Sequence, residues 1–284
     1  MTDEIDKIGS SVIQYGRNNQ RIYLMKSSAE DFPGLIQDLD DLAAKKNFSK
    51  IFAKVPESQQ GLFLRNGYQI EASVPGLFNG QETGLFLGKY LIEERAKELH
   101  PDRVQDILAK ARARQGLVSG LAVVDAISRP LFSEDMQQAA DIYRQVFASY
   151  PFPIDDPDYL RSTMDHIAYY GVWYEGKMVA LSSAEIDYEN ANAEMTDFAT
   201  LPEFEGKGFA GLLLARMEAD MKDRQITSLY TIARAYSYGM NITFAKNGYL
   251  FSGTLTNNTQ IFGGLESMNV WYKLQPVEQV LALS

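Results

Sequence analysis

The sequence predicts an α/β (α+β) protein of two units, a smaller α/β domain at residues 1–115 followed by a larger domain at residues 130–275. Three observations lead to this prediction. The chain has 284 residues, more than one compact unit usually holds. Strand-like and helix-like stretches alternate along it, which is typical of mixed sheets covered by helices. A pattern near residue 50 also returns near residue 230.

The composition is that of an ordinary globular protein, with 45% hydrophobic and 23% charged residues. The N-terminus lacks an apolar signal region, no apolar run is long enough to cross a bilayer, and cysteine is absent. We therefore expect a cytoplasmic protein without disulfides. The net charge of -10 argues against nucleic acid and suits a small cationic or zwitterionic substrate, although solubility alone also explains an acidic chain.

The first unit reads as a strand, an amphipathic helix and a second strand, at Arg21–Lys26, about 29–46 and Lys50–Val55. A short helix that ends at Asn66-Gly67 follows, and then two strand-like runs near 69–74 and 84–90. Charged, alanine-rich sequence over about 92–114 predicts a long exposed helix that connects the two units.

The two units share an internal similarity. The pattern Phe-x-(Arg/Lys)-Asn-Gly-Tyr occurs at 63–68 and at 244–249, each time after a strand and a helix and before two more strands. An ancient duplication would make the first unit a degenerate copy of the second without its glycine loop. A chance similarity of this length explains the match equally well.

In the second unit, a helix that begins at Ser133 precedes a Pro- and Asp-rich segment at 150–161 and a short helix to about Tyr169. A hairpin over 171–186 turns at residues 175–177. The strand Ala193–Leu201 then leads through a loop to a helix over about 208–224 and a strand over 229–236.

The loop before that helix carries the clearest chemical signal. Gly206, Gly208 and Ala210 keep the helix start free of bulky side chains. Successive backbone N–H groups, together with the positive end of the helix dipole, can therefore bind a pyrophosphate. The pattern predicts a nucleotide-diphosphate or coenzyme A site.

Two other nucleotide motifs overlap this region and are weaker. Gly206, Gly208 and Gly211 fit the dinucleotide pattern G-x-G-x-x-G, but no acidic residue ends the next strand. The segment 171–177 fits the start of a P-loop, but Met178 replaces the Ser or Thr that would hold magnesium.

The glycine loop resembles the acetyl-CoA motif of the GNAT acetyltransferases, Gln/Arg-x-x-Gly-x-Gly/Ala, at residues 205–210. The resemblance implies a mixed, splayed central sheet and acetyl-CoA as co-substrate. Two positions depart from the family pattern: Glu205 replaces a residue that is usually basic, and Phe244 stands where a Tyr usually protonates the departing thiolate. The implied coenzyme A contacts are Phe198, Ala199, Thr200, Glu205, Gly206, Lys207, Gly208, Phe209, Ala210, Asn241 and Phe244.

A closer resemblance extends over nearly the whole chain. The segments 150–161, 194–200 and 233–241 are similar to those of the β-lysine N-acetyltransferases of archaea and bacteria. This resemblance implies that the product is acetylated β-lysine, a compatible solute used in osmoadaptation.

Acetyl transfer to an amine needs a general base, because lysine-like amines have pKa values near about 10.4. Glu194 is the first candidate, since it lies on the strand that leads to the glycine loop, and Asp197 and Glu185 are alternatives. Tyr236 and Tyr238 are candidate proton donors for the thiolate, although each also reads as an aromatic residue packed at a strand end.

The acceptor amine would meet acidic and aromatic side chains of the 150–161 segment and polar residues of two strands. The predicted substrate-binding residues are Tyr150, Phe152, Asp155, Asp156, Arg161, Asp197 and Arg234. A solvated turn explains the Asp cluster more simply. His100 and His166 show no ligand spacing, so we predict no metal.

The sequence thus predicts an acetyl-CoA-dependent N-acetyltransferase in which a small amine attacks the thioester directly, since no thiol is present for a covalent intermediate. Another acceptor (lysine, a polyamine or a peptide) and a coenzyme A sensor without turnover remain alternatives. Whether the chain forms a homodimer is open.

Overall fold

The computed structural model describes residues 3–117, 125–148, 150–261 and 263–276, and it contains two mixed sheets. The first unit comprises strands β1 (Glu4–Ile8), β2 (Ser11–Gly16) and β3 (Arg21–Lys26), helix α1 (Gly34–Lys46), strand β4 (Lys50–Pro56), helix α2 (Gln60–Arg65), and strands β5 (Gln69–Phe78) and β6 (Glu82–Tyr90).

The second unit follows helix α3 (Pro101–Arg112). Its elements are β7 (Ala126–Pro130), α4 (Met136–Val146), α5 (Pro157–Ser162), β8 (Ile167–Tyr174), β9 (Lys177–Asp187), β10 (Asn192–Thr200), α6 (Phe209–Asp223), β11 (Ser228–Arg234), α7 (Tyr238–Lys246), β12 (Leu250–Ile261) and β13 (Gly264–Leu274).

The two sheets have the same strand order apart from one additional edge strand. The first sheet runs β1-β2-β3-β4-β6-β5, and the second runs β7-β8-β9-β10-β11-β13-β12. In each sheet the central pair, β3 with β4 or β10 with β11, is parallel and joined by a helix. A duplication would produce this agreement, and it stays a prediction.

Local chemistry accounts for the elements around the glycine loop. Along β10, buried residues alternate with partly exposed ones, as expected for a strand with different surroundings on its two faces. Gly208 adopts φ 87° as the N-cap of α6, a conformation that glycine takes without steric cost. At the next helix, the Ser237 hydroxyl caps α7 by accepting from the Met240 N–H.

The helix expected over 92–114 differs from the one observed. Helix α3 starts only at Pro101, after a short turn at Glu93–Ala96. It is not an exposed connector, because Val104, Leu108 and Ala111 are buried in the core of the second unit. Strand β8 also begins at Ile167 where a helix was expected to continue, and strands β1, β2 and β7 were not predicted.

The two sheets pack against each other through a shared apolar cluster. Tyr23, Phe52 and Phe86 of the first unit contact Tyr230 and Val270 of the second. A buried arginine, Arg95, ties the units further by donating to the Asn257 carbonyl at 2.7 Å and to the Ser49 hydroxyl at 2.8 Å. The first unit therefore forms one wall of any cavity that lies between the sheets.

Candidate active site

A cavity of about 860 Å³ lies between the two units. Residues of β2, β3 and β4 line it from the first unit: Gln14, Arg21, Tyr23, Met25, Phe52 and Lys54. Residues of β9, β10, the glycine loop and β11 line it from the second: Glu185, Glu194, Thr196, Asp197, Phe198, Thr200, Phe204, Glu205, Gly206, Gly208, Phe209, Ala210, Thr231 and Arg234. Neither unit alone encloses this space.

The glycine loop has the backbone geometry that a phosphate site requires. Gly206 and Gly208 have φ values of 74° and 87°, in the left-handed region that favours glycine. A Cβ atom on Gly206 would find no heavy atom within 4 Å, so the approach to the loop is open. The Leu212 N–H donates to the Gly208 carbonyl, and the amides ahead of it lack intrahelical partners. The loop thus fits the pyrophosphate of coenzyme A.

The central sheet opens beside this loop. Strands β10 and β11 pair only from Asn192 to Glu194 on β10, and no ladder between them continues beyond that point. On its other side, β10 has a register shift against β9 between Thr196 and Ala199. Phe198 and Thr200 then line the cavity, while Ala199 is buried in the opposite face. Backbone groups at this opening can donate to a thioester oxygen.

Two glutamates face the cavity from adjacent strands. Glu194 on β10 pairs in register with Glu185 on β9. Burial raises the pKa of both carboxyls, because removal from water disfavours the charged form. For Glu185, the negative charges of Glu194 and Asp197 raise the pKa further, whereas Lys54 opposes the rise. A glutamate with a raised pKa is a stronger base than an ordinary one.

A third carboxyl, Asp197, lies at the irregularity in β10 with φ 54°. Its side chain accepts hydrogen bonds from the Tyr150 hydroxyl and, at 2.5 Å, from the Ser183 hydroxyl. Burial raises the pKa of Asp197, and these hydrogen bonds oppose the rise. Both carboxylate oxygens of Asp197 therefore accept hydrogen bonds from protein hydroxyls.

Glu194 has cationic and phenolic neighbours. The Lys54 ammonium donates to the Tyr230 hydroxyl at 3.1 Å, and hydrogen bonding to Tyr230 together with the charge of Lys54 counteracts the effect of burial on the pKa of Glu194. Arg21 acts in the same direction. Strand alternation places Arg21, Tyr23 and Met25 of β3 on the cavity face.

Sequence reasoning missed this wall of the first unit. The available signal was a charged residue at the start of the apolar run 21–26, a pattern typical of a cation aimed at a polar site. What the sequence could not reveal was which face of β3 meets the second unit.

Most residues predicted from the sequence do line the cavity. Those are Tyr150, Phe152, Glu194, Asp197, Phe198, Thr200, Glu205, Gly206, Gly208, Phe209, Ala210, Arg234 and Phe244, with the alternative base Glu185. Arg234 also forms an ion pair with Glu266 at 2.8 Å. Phe244 packs edge-on against Phe198 with ring centroids 5.6 Å apart, so it closes the cavity with an apolar surface.

The two tyrosines predicted as proton donors form hydrogen bonds outside the cavity, and their catalytic role stays a prediction. The Tyr236 hydroxyl donates to Glu98 at 2.5 Å, and the Tyr238 hydroxyl donates to Asp106 of α3 at 2.5 Å. Neither residue lines the cavity, whereas Ser237 between them does. The two hydroxyls thus bind α3 and the residues just before it, a segment that the sequence did not place beside β11.

Asn241, predicted as a coenzyme A contact, does not line the cavity, and its cofactor role stays a prediction. It is fully buried, and its amide donates to the carbonyls of Arg234 and Ser237 while accepting from Asn269 and Trp271. These four hydrogen bonds use both ends of the side chain. Asn241 therefore joins the start of α7 to β13.

The charged residues of the 150–161 segment do not line the cavity, unlike Tyr150 and Phe152. The Asp156 carboxylate caps α5 by accepting from the Asp158 N–H, and the Asp155 carbonyl accepts from Arg144. Arg161 forms an ion pair with Asp158 at 2.6 Å. A helix cap and local ion pairs account for Asp155, Asp156 and Arg161, and their predicted substrate roles stay predictions.

The Lys207 ammonium lies over the rings of Tyr174 and Phe204, at 5.3 and 5.4 Å from their centroids, and its side chain does not line the cavity. Within the described part of the chain, no group of three His, Asp or Glu side chains is arranged for a metal ion. Of the helices in those same residues, none has the length and apolar character needed to cross a bilayer.

Comparisons with known proteins agree with this geometry. A model of the acetyltransferase (GNAT) family matches residues 136–249. The chain is 39% identical over 274 residues to a β-lysine N(6)-acetyltransferase of Methanococcus maripaludis, a match that covers 96% of this chain and 99% of the relative. It is 36% identical over 173 residues to a β-lysine N(6)-acetyltransferase of Methanosarcina mazei, covering 61% and 62% of the two chains.

Among solved structures, the ribosomal-protein-S18-alanine N-acetyltransferase of Escherichia coli matches with a TM-score of 0.47 and 16% identity. That match covers 55% of this chain and 98% of the other.

Proposed function

The chain belongs to the GNAT family and is an acetyl-CoA-dependent N-acetyltransferase, and from that premise we propose that it transfers the acetyl group to the N6 amine of β-lysine. The observation that carries the proposal is the cavity between the units, where carboxyls of Glu185 and Glu194 lie opposite the cations of Arg21 and Lys54. Such a cavity complements a small amino acid that carries separate positive and negative groups.

The names of the relatives support the same acceptor. Two of them are β-lysine N(6)-acetyltransferases, and one aligns over nearly the full length of this chain, including the first unit. The acetylated product would be a zwitterion with one fewer cationic amine. Its use as a compatible solute is part of the proposal.

In the proposed reaction, Glu194 takes a proton from the N6 ammonium of the acceptor. The free amine attacks the thioester carbonyl carbon, the carbon–sulfur bond breaks, and coenzyme A leaves as the thiolate. The thiolate takes up the second proton, which the attacking nitrogen releases as the amide forms. Backbone amides at the opening of β10 stabilise the charge that develops on the carbonyl oxygen. The glycine loop holds the pyrophosphate throughout.

The absence of cysteine favours direct attack, and the thiolate can leave without a proton donor. The chain contains no cysteine that could carry the acetyl group. Phe244 offers no proton to the thiolate, but a thiol with a pKa of about 8.5 needs little help to leave as the anion at neutral pH.

The proposal is tested by incubating the protein with acetyl-CoA and one amine at a time, and by following thiol release. The panel contains β-lysine, α-lysine, 1,5-diaminopentane, spermidine and a lysine-containing peptide. We expect the highest kcat/KM with β-lysine and a single product, acetylated at N6 by NMR. A higher kcat/KM with a polyamine or a peptide would assign the enzyme to that acceptor instead.

A further inference from the structure

Three buried polar side chains at one end of the cavity have atoms without a hydrogen-bond partner among the described residues. Gln14, Arg21 and Asn258 are only 3%, 6% and 1% exposed. The atoms in question are Gln14 Nε2, Arg21 Nε and Asn258 Oδ1, and all three residues line the cavity. Because a buried polar atom without a hydrogen-bond partner destabilises the fold, three of them in one place indicate a ligand.

The three residues are neighbours in the fold. Gln14 on β2 pairs with Tyr23 on β3, two residues beyond Arg21. Arg21 Nη1 donates to the Asn258 carbonyl at 2.5 Å and to the Thr259 hydroxyl at 3.1 Å. These contacts hold one edge of the guanidinium against β12, and the buried Nε has no hydrogen-bond partner among the described residues.

The charge of Arg21 is also poorly compensated by contact. Its described hydrogen-bond partners are uncharged, and its guanidinium lies 5.7 Å and 5.6 Å from the ring centroids of Tyr23 and Phe52. The carboxylates of Asp3, Glu71 and Glu194 act on it only through longer-range attraction. A buried guanidinium in this setting is stabilised when an anion binds to it.

We propose that Arg21 and Gln14 of the first unit bind the carboxylate of the amino acid acceptor, and that Asn258 Oδ1 accepts a hydrogen bond from the ammonium group next to it. This inference rests on the proposed function, because it assigns the two ends of the same substrate. The reacting amine then lies toward Glu194, and the first unit selects acceptors that carry a carboxylate.

The location of these residues explains why recognition of the acceptor carboxylate needs the first unit. The family model matches residues 136–249, and Gln14, Arg21 and Asn258 all lie outside that range. The shared part of the fold supplies the glycine loop and Glu194. Recognition of the far end of the acceptor is therefore a property of this two-unit chain.

The test compares two acceptors that differ only in the carboxylate, β-lysine and 1,4-diaminopentane. The measured quantity is kcat/KM for β-lysine divided by kcat/KM for 1,4-diaminopentane. It is determined in the wild type, in Arg21→Met and in Gln14→Met. Charge-assisted hydrogen bonds of about 1.5–3 kcal/mol correspond to roughly 10–150-fold in binding. We expect Arg21→Met to lower this ratio by roughly 100-fold, mainly through the KM of β-lysine, and Gln14→Met by roughly 10-fold.

Arg95→Met is the matched control. Arg95 is equally buried at the junction of the units, at 4% exposed, but it does not line the cavity. Its loss should lower the denaturation midpoint and leave the ratio unchanged. Because Arg21→Met also removes hydrogen bonds at the junction of the units, Gln14→Met and calorimetric titration of each variant with β-lysine provide a second measurement.

The outcomes separate this inference from the proposed function. Suppose that the wild type acetylates β-lysine. If Arg21→Met and Gln14→Met then keep the wild-type ratio, or if Arg95→Met lowers the ratio as much as they do, the carboxylate site is overturned and the proposed function stands. If the wild type prefers α-lysine and the ratio of α-lysine to 1,5-diaminopentane falls only in the two cavity variants, the site stands and the β-lysine assignment fails. A wild type without preference for a carboxylate overturns the site.

Discussion

Glu194 lies directly opposite Glu185 in the ladder between β10 and β9, so two carboxyls face one cavity from adjacent strands. Like charges in this position destabilise a sheet unless one group is protonated or a cation lies nearby. The raised pKa values of both residues and the nearby ammonium of Lys54 fit that requirement. An arrangement that costs stability and faces a cavity is typical of a functional site.

Removal of the proposed base should slow acetyl transfer strongly. Glu194→Gln keeps the size of the side chain and removes its proton-accepting charge, so we expect kcat to fall by about 100-fold or more with coenzyme A affinity unchanged. Steady-state kinetics and calorimetry measure the two quantities. Glu189→Gln is the control, since Glu189 is exposed and pairs with Lys26. Equal kcat values in the wild type and Glu194→Gln would exclude Glu194 as the base.

The pH profile should report the raised pKa of Glu194. Burial raises this pKa above the ordinary value of 4.5, and the Lys54 ammonium acts against the rise. The base must be ionised to accept a proton, so kcat/KM should fall as the pH falls through this raised pKa. Lys54→Met removes the opposing cation and should move the acidic limb of the profile to higher pH.

Lys89→Met is the control for this profile, because Lys89 pairs with Asp40 away from the cavity. An acidic limb that stays in place in Lys54→Met, or that moves to lower pH, would contradict the assignment of Lys54 as the cation that tunes Glu194.

The glycine loop should lose coenzyme A affinity when its backbone conformation is disfavoured. In Gly208→Ala, the φ of 87° is strained, because a left-handed conformation costs an L-residue roughly 1–2 kcal/mol. We expect the Kd for coenzyme A to rise by about 10-fold or more. Gly176→Ala has a similar φ of 77° in a hairpin turn away from the cavity, so it should share the strain and keep the affinity. Equal Kd values in both variants would argue against the loop as the phosphate site.

Asn241 should prove important for stability and not for coenzyme A binding. Asn241→Leu leaves the Asn269 amide and the Trp271 indole N–H without their buried acceptor. The free energy of unfolding should fall by about 2–5 kcal/mol in denaturant titrations. Asn247→Ala, which removes a single bond to the Thr243 carbonyl, should cost much less. A higher Kd for coenzyme A in Asn241→Leu, with an unchanged free energy of unfolding, would instead assign Asn241 to cofactor binding.

Local patterns were sufficient for part of the site. The glycine loop was recognisable because pyrophosphate binding depends on a few consecutive residues at a helix start. Glu194 was recognisable because the strand leading to that loop enters the site. The partners of the Tyr236 and Tyr238 hydroxyls could not be predicted, because Glu98 and Asp106 lie more than 100 residues away in the chain.

The sequence by itself determined the class of chemistry: a strand, a glycine loop and a helix that predict a pyrophosphate site, with a carboxylate on the strand. Only the tertiary structure decided what completes the cavity. Arg21 and Lys54 reach the same space as Glu194 because two sheets pack face to face, and the packing depends on which strand faces are apolar and complementary. Because the contacting segments lie far apart in the chain, no local spacing of residues in the sequence predicts this contact.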